Sequence, residues 1–239
     1  MFAAEMQITD QDARSVTSVT GGAKLGQIAS TSGGRTYRYA LAGGSNLVAG
    51  NLQVNADVVA NHVNRPVAAA VAIGGTTVTV TLGATAATAD QYADGYMTVN
   101  DVTGEGISYG VSGNLAAASS GTLTVYLKEP ITVALTTSSE VTMTVHPYSA
   151  VVISATDQAD QPVGVPNTAV TAAYYCWLQV GGICSVLWDE AVTKGLALTI
   201  GTGTAGAVEA LDGAGEPQIG IATMAGVDTE NQPAYLTMW

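Results

Sequence analysis

Positive charge is what this sequence lacks most. Its 239 residues hold 7 Lys and Arg against 19 Asp and Glu, which gives a formal net charge of −12. All charged residues together make 11% of the chain, against roughly 25% in an average soluble protein. Binding to a phosphate backbone needs clustered cations. The composition therefore excludes nucleic acid as an expected partner.

Cysteine, histidine and long apolar runs are also scarce. Two cysteines and two histidines, with no metal-ligand spacing between them, do not predict a zinc site. No apolar run approaches the roughly 18 residues of a membrane helix, and the first residues lack the cationic start and apolar core of a secretory signal. We expect no membrane partner, and two free, buried thiols rather than a disulfide.

Small and β-branched residues fill the chain instead. Ala, Thr, Val and Gly make 124 of the 239 residues, and Val and Thr favour strands. Apolar and polar residues alternate at 76–82 (TTVTVTL), 122–127 (TLTVYL) and 140–146 (EVTMTVH). This period of two is typical of half-buried antiparallel strands. The sequence predicts an all-β fold with few short helices.

Charge and composition divide the chain into three parts. Residues 1–66 hold five of the seven cations and are rich in Gly, Ser and Thr, so we predict an extended N-terminal arm that gains its order from another subunit or a larger surface. The alternative is that this segment is an ordinary edge region of the same domain. Two small antiparallel β barrel or sandwich domains follow, at 67–150 and 151–239, with a polar, proline-containing connection at 157–167.

The most apolar stretch lies at 173–188, where two runs flank Gly181-Gly182. A two-residue glycine turn between apolar runs predicts a β-hairpin. In that register Tyr175, Trp177 and Trp188 share one face. Since both faces would be largely apolar, we predict that this aromatic face contributes to an oligomer interface.

No set of residues predicts catalysis, a cofactor or a metal. His62 and His146 stand apart from any nucleophile, and GTGTAG at 201–206 lacks the long helix that a dinucleotide-binding loop requires. Two groups of acids, in turn-rich sequence, lack calcium-loop spacing and are interpreted as solvated turn residues: Asp94, Asp101 and Glu105; Asp157 and Asp160. We therefore predict a protein that is not an enzyme.

The order of several segments carries a resemblance. These are GRTYRYALAGGSNLVAGNLQVN, the stretch from NHVNRPVAAAVAIGG to GEGISYGV, LKEPITVALTTSSEVTMTVHPY and GVPNTAVTAAYYCWLQVGGICSVL. Together they cover most of residues 33–190 and resemble structural proteins of tailed-bacteriophage virions, of the capsid decoration, cement or head-surface type. The family offers no catalytic motif to transfer.

The resemblance implies a protein that binds the outer head surface as a homo-oligomer and stabilises the shell. The expected partners are the major capsid protein and further copies of the chain, as a homotrimer, on a virion assembled in the bacterial host cytoplasm. We predict that the cations of the first segment and two nearby tyrosines contact the capsid or a neighbouring subunit: Arg14, Lys24, Arg35, Tyr37, Arg38 and Tyr39.

Two other classes stay open. A head-fibre or tail-associated adhesin that binds host surface glycans would differ in its location on the virion. A carboxylate-based glycan hydrolase would need two acids roughly 5 to 10 Å apart across a cleft, and the sequence indicates no such pair. A major capsid protein is less favoured, since the long amphipathic helix expected of one is missing from the sequence.

Overall fold

The computed structural model describes residues 6–18 and 23–238. It is 40% strand and 3% helix, which confirms the all-β fold class. The chain forms two compact units: residues up to Ala56 with those from Pro147 onward are unit 1, and Asp57–His146 is unit 2. In the part of the chain described, no helix has the length and apolar character needed to cross a membrane.

Seventeen strands are described. Those of unit 2 are β5 (Arg65–Pro66), β6 (Thr77–Thr81), β7 (Tyr96–Asp101), β8 (Ser108–Asn114), β9 (Thr122–Leu127) and β10 (Glu140–Thr144). Those of unit 1 are β1 (Met6–Gln7), β2 (Ile28–Ser30), β3 (Thr36–Leu41), β4 (Gln53–Val54), β11 (Val152–Ile153), β12 (Pro162–Pro166), β13 (Tyr175–Leu187), β14 (Ala197–Ile200), β15 (Val208–Ala210), β16 (Gly220–Ala222) and β17 (Asn231–Thr237). Two short 3₁₀ helices span Asp12–Arg14 and Ala60–His62.

Unit 2 is a nearly closed, six-stranded antiparallel barrel in the order β5-β10-β7-β8-β9-β6. A bridge between Val67 and Val80 joins its two edge strands. Its core consists of the inward side of the alternation, with Val78 and Val80 from β6 and Leu123 and Val125 from β9. The outward side is rich in threonine. The three alternating runs predicted as strands are therefore confirmed as β6, β9 and β10.

Unit 1 is an eleven-stranded sheet with the order β1-β2-β3-β13-β17-β16-β14-β15 along its main path. The short strands β4, β11 and β12 lie off this path, and β12 connects them to β13. All pairings between these strands are antiparallel except that of β1 with β2. The long strand β13 lies in the middle of this path and contributes side chains to three buried apolar clusters.

The predicted extended N-terminal arm is not confirmed. Residues 36–41 form β3, which pairs with β13 from Tyr175 to Gly181. Tyr37 is fully buried and Tyr39 nearly so. The core that orders this segment includes residues far along the chain, among them Trp177. The sequence of the segment alone therefore did not predict that core.

The predicted hairpin at Gly181-Gly182 is wrong. Residues 175–187 form one continuous strand, whose first half pairs with β3 and whose second half pairs with β17. Gly182 has a φ of 81°, and a Cβ there would lie 2.9 Å from the carbonyl oxygen of Gly34. The glycines therefore permit a bulge and a close backbone approach, which is the other common role of glycine inside a strand.

The two compact units and the predicted domains divide the chain at different residues. Unit 2 spans Asp57–His146, where the sequence suggested 67–150. The segment 151–239 belongs to unit 1, together with most of the segment expected to be an arm. The sequence also predicts strands at 196–200 (LALTI), 218–223 (QIGIAT) and 234–239 (AYLTMW), and these overlap β14, β16 and β17; Trp239 lies outside the described residues.

Candidate interaction surface

Three exposed apolar side chains form a row across the outer face of unit 1. Ile183 of β13 pairs with Tyr235 of β17, and Tyr235 pairs with Ile221 of β16. Their exposed fractions are 44%, 46% and 40%. Side chains directly opposite on adjacent strands have Cβ atoms about 5 Å apart, so the three form one continuous surface. We call Ile183, Tyr235 and Ile221 the outer row.

The strands that carry the outer row have no charge. Neither β13, β17, β16 nor the next strand, β14, contains an Asp, Glu, Lys or Arg. The neighbours of the row on the same faces are small or uncharged, including Ser185, Pro233 and Ala197. In a chain with a net charge of −12, an uncharged apolar face is suited to protein contact.

A buried amide network fixes β13 beneath this face. Gln179 is 1% exposed, and its Nε2 donates to the carbonyl oxygens of Gly181 and Ile183 at 3.0 and 2.8 Å. Its Oε1 accepts a hydrogen bond from Asn167 Nδ2 at 3.0 Å. Asn167 Nδ2 also donates to the hydroxyl of Tyr37 at 3.0 Å. The Gln179 amide therefore donates to two backbone carbonyl groups near Gly181, where the pairing of β13 shifts from β3 to β17.

The inward side of the same strands is densely apolar. Trp188, Val186 and Cys184 pack with Ala234 and Leu236 in one buried cluster. Gly226 lies against the Trp188 ring, where a Cβ would come within 2.5 Å of it. The row is therefore the exposed side of a sheet whose other side is core.

Both cysteines are buried and free. Cys176 lies in the cluster with Leu178, while Cys184 lies in the cluster with Trp188. Burial raises the pKa of each thiol to about 12. The thiols are therefore protonated and unreactive near neutral pH.

The residues predicted to contact a capsid do not share one surface. Tyr37 and Tyr39 point into the interior, where Tyr39 stacks on Tyr175 and meets Trp177 edge-on. Arg38 lies on the opposite face of β3, with its guanidinium over the ring of Tyr148 and a 3.0 Å bond to the carbonyl oxygen of Gly26.

The other predicted contact residues are at the surface. Arg35 forms an ion pair with Asp10 at 3.4 Å, while Arg14 and Lys24 are exposed. Arg14 ends the 3₁₀ helix whose Ala13 packs with Tyr39 and Trp177. The alternation along β3 places Arg38 on the face opposite Tyr37 and Tyr39.

The predicted oligomer interface lies mostly inside the protein. Trp188 has no exposed surface and Trp177 has 6%, so neither ring is accessible to another copy. Tyr175 is half-buried and stacks on Tyr39. The exposed positions of β13 are Ile183 and Ser185, two residues that the hairpin register placed on the face opposite the tryptophans.

The acids singled out from the sequence are also dispersed. Asp94 precedes β7 and forms an ion pair with Lys128 at 2.6 Å, whereas Asp101 is the last residue of β7 and Glu105 lies in the turn that follows it. Asp157 Oδ1 accepts the backbone N–H of Ala159 within its loop. The segment 201–206 connects the antiparallel strands β14 and β15, so it does not open a helix. Among the described residues, no three His, Cys, Asp or Glu side chains are placed to hold a metal ion.

One histidine has a clear structural position. His62 is completely buried, and its Nε2 donates to the carbonyl oxygen of Thr85 at 2.9 Å, because a carbonyl can only accept. Its Nδ1 therefore accepts the hydroxyl of Tyr92. Burial raises the pKa of Tyr92 to about 12, so that hydroxyl keeps the proton it donates. This pair attaches the loop after β6 to the 3₁₀ helix.

Sequence reasoning missed the outer row. Ile221 and Tyr235 alternate with buried neighbours in their strands, and this local signal was visible. Their alignment with Ile183 depends on the order β13-β17-β16, which no local pattern contains.

No family model matches the chain, and comparisons with curated proteins and with solved structures found no significant match.

Proposed function

We propose that this chain is a virion structural protein of the capsid decoration type. It acts without chemistry, as a homo-oligomer bound to the outer surface of a phage head. The segment order from residue 33 to 190 supports this proposal through its resemblance to such proteins. The outer row is the structural observation that supports it best, because exposed, aligned apolar side chains are a feature of protein contact surfaces.

A second copy of the chain is the partner that fits the outer row. Two bodies with a net charge of −12 repel one another unless they meet where neither carries anions. The strands β13, β17, β16 and β14 offer such a face. A strongly basic partner would instead match an acidic face. The row would form the apolar centre of the interface, and the uncharged residues around it the periphery.

The oligomer is tested by size-exclusion chromatography with light scattering at micromolar concentration. The wild-type chain is expected to elute as one discrete oligomer, with the trimer as the expectation from the sequence. Tyr235→Asp puts a carboxylate at the centre of the row on each copy, so we expect a monomer. Tyr126→Asp is the matched control, since Tyr126 is also an exposed strand tyrosine, 39% accessible, on unit 2.

A monomeric wild-type chain at that concentration would contradict self-association, as would equal behaviour of the two variants. Head binding is tested separately, by mixing the oligomer with heads that lack this chain and imaging them by electron microscopy. Density at regular lattice positions supports decoration. Density confined to the tail or to fibres would favour the adhesin, with a glycan screen as the next experiment.

A further inference from the structure

One end of the unit 2 barrel is built from three adjacent loops, at 68–76, 102–107 and 128–139. They connect β5 to β6, β7 to β8, and β9 to β10. The chain enters unit 2 at Asp57 and leaves it at His146, and both positions lie at the opposite end of the barrel strands. We call these three loops the barrel tip.

Hydrogen bonds join the loops of the barrel tip. Val71 and Leu135 exchange two backbone bonds of 2.9 Å, which couples the first loop to the third. Ser139 Oγ donates to the carbonyl oxygen of Thr103 at 2.9 Å, which couples the third loop to the second. At Gly104 a Cβ would approach Leu135 Cδ2 within 2.8 Å. The three loops therefore form one ordered surface.

Each loop presents one large, exposed apolar side chain. Ile73 is 69% exposed, Val102 50% and Val133 38%. Residues of the same segments, Ile131 and Leu135, are buried in the barrel core. The third loop therefore contributes apolar side chains both to the barrel core and to the exposed surface.

Val102 adopts a backbone conformation that is unfavourable for its side chain. Its φ is 64°, in the left-handed region where a β-branched residue is an outlier. Glycine would occupy this position without strain. Strained backbone at an exposed position is typical of residues whose side chain has a function.

Acidic residues adjoin the apolar side chains. Asp101 and Glu140 lie directly opposite each other on β7 and β10, an arrangement in which like charges destabilise a sheet. Glu105 is exposed in the same turn as Val102. In the described part of the chain none of these three carboxylates forms an ion pair. A cation from outside would relieve their repulsion.

We propose that the barrel tip is the surface that docks onto the shell, by inserting Ile73, Val102 and Val133 into an apolar recess rimmed by Lys or Arg on a partner protein. This inference rests on the proposed function and names the contact that the function requires. The partner's cations pair with Asp101, Glu105 and Glu140. A second copy of this acidic chain fits the tip poorly, because its copies would oppose carboxylate with carboxylate.

The experiment measures binding of purified chain to heads that lack it, by co-sedimentation over a range of chain concentrations. Ile73→Ser and Val102→Gly are expected to weaken binding at least tenfold. Leu115→Ser is the matched control, because Leu115 is 52% exposed in the loop after β8, at the opposite end of the barrel. We expect the control to bind as the wild type does.

Val102→Gly separates docking from folding. Since glycine relieves the backbone strain, this variant should melt at the same temperature as the wild type or higher, while binding is lost. Light scattering should give each tip variant the oligomeric state of the wild type. A tip variant with a lowered melting temperature and wild-type affinity would overturn the proposal, and so would one that loses its oligomeric state.

The contribution of the barrel-tip carboxylates Asp101, Glu105 and Glu140 is tested by a separate measurement. Glu105→Gln should reduce affinity about two- to fivefold at low salt, whereas Asp228→Asn, an exposed acid of unit 1, should not. Wild-type affinity should fall as salt rises. If the wild type binds heads and the tip variants bind equally well, the proposal that the barrel tip is the docking surface is wrong, whereas the proposed decoration function is unaffected. If the wild type does not bind heads, the proposed function fails, and the tip proposal fails with it.

Discussion

The two units are both built from β-strands, but their candidate contact residues lie on different parts of the fold. Unit 2 follows the two-residue alternation around a nearly closed barrel, so its exposed apolar residues at one end, Ile73, Val102 and Val133, lie on loops. Unit 1 has an open sheet, and its exposed apolar residues Ile183 and Tyr235 lie on the strands themselves. The contact proposed for unit 2 is therefore at the end of a nearly closed barrel, and the contact proposed for unit 1 is on the face of an open sheet.

Each unit also places a buried amide beside a strand irregularity. Gln179 lies next to the shift in β13 pairing, and Asn114 follows the shift between Val111 and Gly113 in β8. Asn114 Nδ2 donates to the carbonyl oxygens of Thr88 and Leu115, and its Oδ1 accepts the N–H of Tyr92. A bulge leaves backbone groups unpaired, and a buried amide can satisfy both donors and acceptors.

The largest expected effect is on the free energy of unfolding, when substitutions on the buried and the exposed face of the unit 1 sheet are compared. Trp188→Ala removes a fully buried ring and should lower the free energy of unfolding by about 3–5 kcal/mol. Tyr235→Ala, on the outer face, should change it by about 0.5 kcal/mol or less. Urea denaturation at concentrations where the chain is monomeric measures both. Equal costs would mean that Tyr235 is part of the core.

The two buried amides allow the next comparison. Gln179→Leu would remove the side-chain donor to the carbonyls of Gly181 and Ile183. Asn114→Leu would remove the side-chain donor to the carbonyls of Thr88 and Leu115, and the acceptor of the Tyr92 N–H. We expect each to cost about 2–3 kcal/mol in urea denaturation. Ser112→Ala, beside Asn114 in β8 but exposed, serves as the control. A cost below that of the control would contradict the role assigned to the amides.

The smallest expected effect is a loss of stability at high pH in unit 1. Both cysteines belong to unit 1, and burial raises each folded pKa from 9.0 to about 12. Unfolded thiols ionise first, so stability is lost as pH rises from about 9 to 12. At pH 10 each thiol should lower the free energy of unfolding by about 1.4 kcal/mol relative to pH 8.

Urea denaturation at pH 8 and pH 10, with the Cys176→Ala and Cys184→Ala double variant as reference, measures this loss. The variant should show the smaller pH dependence. Labelling with a thiol reagent at pH 8 should modify neither cysteine in the folded chain and both in urea. Rapid labelling of the folded chain would show that the thiols are accessible.

Sequence patterns predicted unit 2 better than unit 1. Its strands alternate locally, so β6, β9 and β10 followed from their own residues. In unit 1, Gly181-Gly182 resembles a turn, and only the partners β3 and β17 on either side of β13 keep the strand continuous. Tyr37 and Tyr39 gain their core from Tyr175 and Trp177, more than a hundred residues later.

The candidate surfaces were less predictable for the same reason. Asp101, Glu105 and the glycines of their turn were visible as a turn, but the placement of Ile73, Val102 and Val133 at one end of the barrel depends on the strand order. The aromatic residues of β13 were recognised as important, yet their burial inside the chain moves the exposed contact to Ile183 and its neighbours across the sheet.

The central claim is that two separate surfaces do two separate tasks. The direct test assays Tyr235→Asp and Ile73→Ser side by side, by light scattering for self-association and by co-sedimentation with heads that lack the chain. We predict that Tyr235→Asp is a monomer that still binds heads, though more weakly because avidity is lost, and that Ile73→Ser is a wild-type oligomer that does not bind. Loss of both properties in both variants would contradict the separation.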